Sequence, residues 1–306
     1  MKISDIADLI NDLEERSWED ALDPADRLGG PSPMGNSKWQ VFKQCPYLYQ
    51  LMFIRGYAPR RKSDALELGG LFHEMMARYF IKDMELRDAE ERIPELKIWN
   101  QSKLAALDLA HQVEKIAPGL AGEAIRLFRA WQVLNGRGTV GYDCKQTMFI
   151  ENLLEVREPF HYSARLDRVL RTEHSVALQD HKTAKMYTNR LVAAYKMDPQ
   201  FIGQKWLWDQ TLAKEYGELE YFEVNLVVKT DSVRVEPLRI YITDSLTRDW
   251  LYEMKDLNRQ FQFRMQNTLR RWPKCRTYRC TFCEAFDHCA SEGSLSGWRK
   301  KEKGEW

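Results

Sequence analysis

Two rhythms of apolar and polar residues follow one another along this chain. Ile3, Ile6, Leu9, Ile10 and Leu13 recur at helical spacing, and the pattern from Leu66 to about Leu134 is again mostly helical, with breaks at Pro94, Pro118 and Gly119. After Asn135-Gly136-Arg137-Gly138 the texture changes to strand-like runs: TMFIENLLEV, FHYSARLDRVL and SVALQDHK. Pro199 to Leu212 reads as a helix with Ile202, Trp206 and Leu207 in its stripe, since proline suits a first helical turn. Two more strands, YFEVNLVVKT and VRVEPLRIYI, come next, and then an amphipathic helix through Thr243 to Leu269. This order predicts an α/β fold, a central mixed sheet flanked by helices, with a helical insertion ahead of it.

Composition adds limits. Of the 306 residues 44% are hydrophobic, enough for a real core, and the net charge of +1 does not select a class of partner. No run of roughly 18 apolar residues occurs. Acids also interrupt MKISDIADLINDLEER where a signal peptide would be apolar, so a cytoplasmic protein without membrane contact is expected. The loop GGPSPMGNS has the Gly30-x4-Gly35 spacing of a phosphate loop, but Asn36-Ser37 stand where a lysine is required, and no ATP site is read there. Ser37 is expected instead to cap a helix that carries Trp39 and Phe42 and reaches Cys45-Pro46.

The run Val176-Ala-Leu-Gln-Asp180-His-Lys182 carries charge into an apolar segment. Residues two apart on a strand share a face, so Asp180 and Lys182 lie side by side, and buried charge is costly unless paired or bound to a metal. The preceding strand holds a lone acid, Asp167. If the two strands are neighbours joined through Thr172-Glu173-His174-Ser175, Asp167 and Asp180 converge on one magnesium or manganese ion, a hard cation that takes carboxylate oxygen. Lys182 beside them suits orienting or deprotonating a water and offsetting charge on a phosphate. The set fits phosphodiester hydrolysis. Taken singly, the residues have plainer readings: a surface ion pair for Asp180 and Lys182, an interior histidine for His73, a helix-surface glutamine for Gln200.

Cys280, Cys283 and Cys289 form a C-x2-C-x5-C spacing that suits a metal centre short of one ligand. Spacing does not distinguish zinc from an iron-sulfur cluster. Cys275 and His288 are both available as a fourth ligand, whereas Cys144 fits neither arrangement.

At five places in order the chain resembles the RecB-type nucleases of the PD-(D/E)xK superfamily. These are S-K-W-Q-V-F-K-Q-C-P-Y-L-Y from Ser37 to Tyr49, Gly70-Leu71-Phe72-His73-Glu74, the acid Asp167, Asp180-His181-Lys182-Thr183, and Pro199-Gln200-Phe201-Ile202-Gly203. The resemblance implies the restriction-endonuclease-like core, with His73, Asp167 and Asp180 on the metal, Lys182 in water activation and Gln200 in orientation. It departs from the pattern at Ala164, often glycine, at Leu166 in place of the proline, and at Gln204 in place of a tyrosine. Cys45, in its Cys-Pro context, resembles the fourth ligand of the iron-sulfur members, the AddB nuclease domain and the four-cysteine CRISPR-associated exonucleases. That implies a [4Fe-4S] cluster on Cys45, Cys280, Cys283 and Cys289 clipping the N-terminal helix to the C-terminal tail, with zinc as the alternative. The expected organisation is an N-terminal helix and loop at 1–36 and a nuclease domain at 37–289, followed by a tail at 290–306. Within the domain the helical part is 64–136, the catalytic sheet 139–242 and the cysteine tail 275–289.

Basic residues suggest where nucleic acid would run: Arg55, Arg60, Arg61 and Lys62, then Arg270, Arg271, Lys274, Arg276 and Arg279, interleaved with Tyr57, Trp272 and Tyr278 as stacking platforms. Arg168 beside Asp167 has two readings, a phosphate contact or a structural ion pair. The family likeness implies an exonuclease acting on single-stranded DNA or DNA ends, in repair or recombination, in keeping with a phage or mobile-element origin. No motor motif is present, so unwinding would need a partner helicase or recombination protein. The competing expectations are a non-catalytic DNA-binding subunit of a recombination or replication complex, and a zinc-bearing interaction module.

Overall fold

The computed structural model describes residues 32–59, 64–89, 93–135, 146–171, 175–230, 232–268, 270–283, 285–290 and 298–301. The expected helix over 3–15, Arg60, Arg61 and Lys62, Cys144, the turn 172–174 and the last residues lie outside these. The chain forms two compact units, one from residues 1–60 with 252–306 and one from residues 61–251.

In the first unit, α1 (Asn36–Gln44) is followed by α2 (Pro46–Tyr49), a π-helical turn at Gln50–Ile54 and β1 (Tyr57–Pro59). Helix α1 begins two residues earlier than expected. Its cap is Gly35, whose carbonyl accepts from the Lys38 and Trp39 amides, so Ser37 lies inside the first turn. Glycine meets the extended cap geometry without the side-chain bond that serine would have supplied.

The second unit opens with three helices, α3 (Asp64–Arg87), α4 (Glu95–Glu114) and α5 (Pro118–Asn135). Their apolar stripes meet in one cluster that includes Phe72, Met75, Phe80, Ala106, Ala110, Leu127, Phe128 and Trp131 and reaches Val227 of the sheet. The sheet has five strands in the order β2 (Gln146–Val156), β3 (Tyr162–Arg171), β4 (Val176–Ala184), β5 (Leu219–Val228) and β6 (Arg234–Ile240). All neighbours are antiparallel except β4 and β5, which run parallel because α6 (Asn189–Lys196), α7 (Pro199–Thr211) and α8 (Ala213–Tyr216) carry the chain across. Strand β5 is buried along nearly its whole length, as a strand covered on both faces must be. Strand β6 tolerates Pro237 because it is the edge. On the α7 side, Phe160, Tyr162, Trp206 and Trp250 form an aromatic layer.

Helix α9 (Asp244–Met265), a short 3-10 turn at Tyr278–Phe282, α10 (Phe286–Ala290) and β7 (Trp298–Lys300) complete the chain. Within the first unit β7 pairs antiparallel with β1. Gln50, fully buried, donates to the Thr268 and Arg270 carbonyls at 2.9 and 2.8 Å and accepts from the Trp272 amide at 3.0 Å. A single amide side chain thus joins the two sequence-distant segments of this unit.

Candidate active site

The β3–β4 ladder runs only from the Arg168–Gln179 pair to Arg171–Val176. Asp167 and Asp180 are the first residues past its open end, side by side where the strands part. There the His181 amide, freed from the ladder, donates to Asp167 Oδ2 at 3.2 Å. His73, a partly exposed residue of α3 next to the buried Phe72, brings Nδ1 within 3.2 Å of the same oxygen.

Asp180 is almost fully buried. Its Oδ1 accepts from Gln200 Nε2 at 3.0 Å and from Lys182 Nζ at 3.1 Å. The ammonium also stands 2.9 Å from Oδ2 as an ion pair, but that oxygen receives no hydrogen bond of acceptable angle. Lys182 Nζ donates in turn to Gln200 Oε1 at 3.2 Å, closing a three-residue ring. Gln200 is set in place by the start of α7: Pro199 stands in the first turn, and Asp198 Oδ1 accepts from the Gln200 amide at 2.9 Å. All five residues that the motif reading singled out, His73, Asp167, Asp180, Lys182 and Gln200, therefore meet within the second unit.

Charge in this fork is under stress. Burial, and then repulsion from Asp180, push the Asp167 carboxyl up to about 7, against the opposing pull of His73 and Lys182. Burial disfavours the Lys182 ammonium, yet the Asp180 and Asp167 carboxylates outweigh it and hold its pKa above the usual lysine value. Two crowded carboxylates, one buried oxygen without a hydrogen bond and a neighbouring imidazole are the donor chemistry a hard divalent cation takes. Among the described residues, however, no three His, Cys, Asp or Glu side chains are drawn into a metal-ligating group.

Three groups at this site escaped the motif reading. Glu151 on β2 stands in register opposite Asp167, between the Ile150–Arg168 and Asn152–Leu166 pairs, with φ at 52°. Burial raises its pKa, while Arg165 and His73 lower it. Tyr195, on α6, lies within electrostatic reach of Lys182 and Asp180. Asp198 does too, besides capping α7. None belongs to a motif, and only the strand register and the turn into α7 bring them here. Gln204, which replaces the motif tyrosine, is buried and unable to grip a substrate.

Arg168 points to the other face of the sheet. Its guanidinium donates to Thr147 Oγ1 at 2.6 and 2.8 Å and to Gln179 Oε1 at 3.0 Å, and lies 3.8 Å from the Phe80 ring centroid. Gln179 in turn donates to Glu223 at 2.6 Å. These internal partners favour the structural reading of Arg168 over the phosphate contact. Trp272 is likewise buried, stacked 6.1 Å from Tyr49, and does not offer a platform for a base. Tyr278 and Arg55 are exposed.

In the first unit, Cys45 ends α1 and opens α2, and Cys45, Cys283 and Cys289 pack against Leu48, Leu51, Ala285 and Trp298. Burial raises the Cys283 pKa, with the Ala285 amide opposing, and Cys45, Cys289 and Cys280 are all close enough to raise it further. Of the two alternative ligands only His288 has its side chain engaged; the contact at Cys275 is through its backbone carbonyl and leaves its thiol a candidate. His288 is buried, with Nε2 2.7 Å from Tyr47 Oη, and the Cys275 carbonyl accepts from Cys280 Sγ at 2.8 Å.

Residues 34–290 match the PD-(D/E)XK nuclease superfamily. Among solved structures, the chain superposes on a candidate exonuclease from Eubacterium rectale with a TM-score of 0.51 at 13% identity, covering 86% of this chain and 89% of that one. A second, SSO0001, gives a TM-score of 0.33 at 14% identity over 74% and 96% of the two chains, too low to bear on the fold. No curated protein matches at a significant level. No helix among the described residues is long and apolar enough to cross a membrane.

Proposed function

Since this chain belongs to the PD-(D/E)XK nuclease superfamily, we propose that it is a magnesium- or manganese-dependent deoxyribonuclease, an exonuclease favouring single-stranded DNA or DNA ends. The observation that carries the reading is the ring of Asp180, Lys182 and Gln200 beside Asp167 and His73 at the parting of β3 and β4. His73, Asp167 and Asp180 would hold the cation, which when bound supplies Lewis-acid polarisation of the phosphoryl oxygen and a more acidic water.

The protein's own groups do the rest. Lys182, kept charged by the carboxylates, offsets negative charge growing on the phosphate and orients the attacking water by donating to it; a raised pKa favours this over service as a free base. Gln200 keeps the ammonium and Asp180 in fixed register, so neither must reorganise as charge develops. The His181 amide and His73 fix the orientation of Asp167. The exonuclease direction is supported by the likeness to four-cysteine exonucleases and by the description of the Eubacterium rectale neighbour. The gathering of Cys45, Cys280, Cys283 and Cys289 supports a structural [4Fe-4S] cluster, with zinc as the other occupant such thiolates accept.

The test is anaerobically purified protein on end-labelled single- and double-stranded DNA with magnesium or manganese, alongside Lys182→Ala and an EDTA control. Cation-dependent degradation that vanishes in Lys182→Ala is the expected result, and the ladder from each labelled end gives polarity. Folded protein that shifts DNA in a gel yet cuts nothing would instead make it a non-catalytic DNA-binding subunit.

A further inference from the structure

One charged pair in the catalytic unit has no part in the ring described above. Glu151 Oε2 lies 3.5 Å from Arg165 Nη1, the two side chains are hydrogen-bonded, and they are 28% and 42% exposed. Both border the site: Glu151 is opposite Asp167 across the β2–β3 ladder, and Arg165 is two residues before Asp167 on the same face of β3. The backbone at Glu151 turns into the left-handed region, which costs a non-glycine side chain about 1 kcal/mol or more, and it does so at the one rung that faces Asp167.

Consider the charges with every carboxylate ionised. Glu151, Asp167, Asp180 and Asp198 stand against Lys182 and Arg165, leaving two surplus negative charges. One divalent cation offsets both, and an arginine released from its carboxylate is then the group left to meet an incoming phosphodiester. A half-exposed ion pair contributes at most about 1 kcal/mol, so separating Glu151 from Arg165 is cheap compared with pairing each to a stronger partner. Asp180 Oδ2 is buried and receives no hydrogen bond, its one counter-charge being the Lys182 ammonium 2.9 Å away, so it has capacity for a cation beside it.

We propose that Glu151 and Arg165 form an exchangeable pair at the edge of the nuclease site: on loading, Glu151 turns to the divalent cation and Arg165 to a backbone phosphate of the DNA strand. The inference rests on the nuclease reading and adds two residues to it. Glu151 thereby couples cation binding to substrate binding, since the cation releases the arginine that the phosphate needs.

Binding measurements test this without turnover. Manganese affinity is measured by calorimetry and electron paramagnetic resonance, and affinity for single-stranded DNA by anisotropy in calcium, a non-catalytic cation. The set is wild type, Glu151→Gln, Glu151→Gly, Arg165→Gln, the Glu151→Gln/Arg165→Gln double variant and Asp180→Asn. Glu151→Gln is expected to weaken manganese binding by about tenfold. Glu151→Gly, which relaxes the backbone while removing the carboxylate, should weaken it equally, and this excludes a folding effect. Arg165→Gln should leave manganese binding intact or tighter, weaken DNA binding in calcium by about tenfold and lower its salt slope by about one. The double variant should show that calcium no longer improves DNA affinity as it does in wild type. If Asp180→Asn abolishes manganese binding but Glu151→Gln leaves it within twofold, the exchange proposal is overturned and the nuclease reading stands. If neither wild type nor any variant binds manganese, both fall.

Discussion

The backbone amide of His181 donates to the carboxylate of Asp167 at the point where β3 and β4 cease to pair. A ladder bond lost at a fork leaves an amide to satisfy, and here the first acid of the site satisfies it. The same bond orients Asp167 toward Asp180, so the geometry that opens the sheet also assembles the carboxylates.

That crowding predicts a pH dependence. In the folded protein Asp167 keeps its proton up to about pH 7, against an ordinary aspartate value of 3.8. The folded state binds more protons across that window, so the stability from this group is full below pH 3.8 and is lost as pH rises through about 7. In EDTA, urea midpoints of wild type should fall from pH 5 to pH 8 more steeply than those of Asp167→Asn. Parallel pH trends in the two proteins would sink the prediction. Saturating manganese at pH 8 should raise the wild-type midpoint and leave that of Asp167→Asn nearly unmoved.

Gln200 bridges Lys182 and Asp180 without itself carrying charge. Gln200→Ala should therefore lower kcat by about 10- to 100-fold, with a smaller effect on DNA affinity in calcium. A variant with normal kcat would show that Lys182 needs no external support.

Gly203 of α7 approaches the core too closely for a side chain. A Cβ there would run into the Tyr162 phenol and stand 2.9 Å from the Trp250 ring, both buried. Gly203→Ala is expected to cost about 2–3 kcal/mol in urea denaturation. Tyr162→Phe, which removes a buried hydroxyl lacking a hydrogen bond, should restore part of that loss in the double variant. Full stability of Gly203→Ala alone would mean that α7, and Gln200 with it, is free to shift.

The cysteines separate iron from zinc. Anaerobic protein should carry about four irons and four sulfides per chain, with a visible absorbance. Cys45→Ser, Cys280→Ser, Cys283→Ser and Cys289→Ser should each lose them and lower thermal stability, whereas Cys275→Ser keeps them. One zinc and no sulfide in wild type would replace the cluster with a tetrahedral centre. A loss on Cys275→Ser in place of Cys45→Ser would redraw the ligand set.

Local order was legible because periodicity is a local property. The expected strands and the helix at Pro199 recur within a few residues as β2 to β6 and α7, since alternating and 3.6-residue patterns each bury one face. His73, Asp167, Asp180, Lys182 and Gln200 were legible as spaced motifs, the spacing being the trace of a hairpin and the crossover that follows it. Other features had no such trace. Glu151 reaches Asp167 only through the β2–β3 register. Arg168 faces away from Asp167 because adjacent strand residues alternate, and the position of Phe80 and Thr147 decides what it meets there. Gln50 is an ordinary polar residue in sequence, yet it joins segments more than two hundred residues apart through bonds to backbone groups, which carry no sequence signature. The chain by itself determined which segments are helix and strand and which acids stand near one another along it. The pairing of distant segments decided which polar groups are buried together, and burial is what gives those groups their altered charge and their candidate roles.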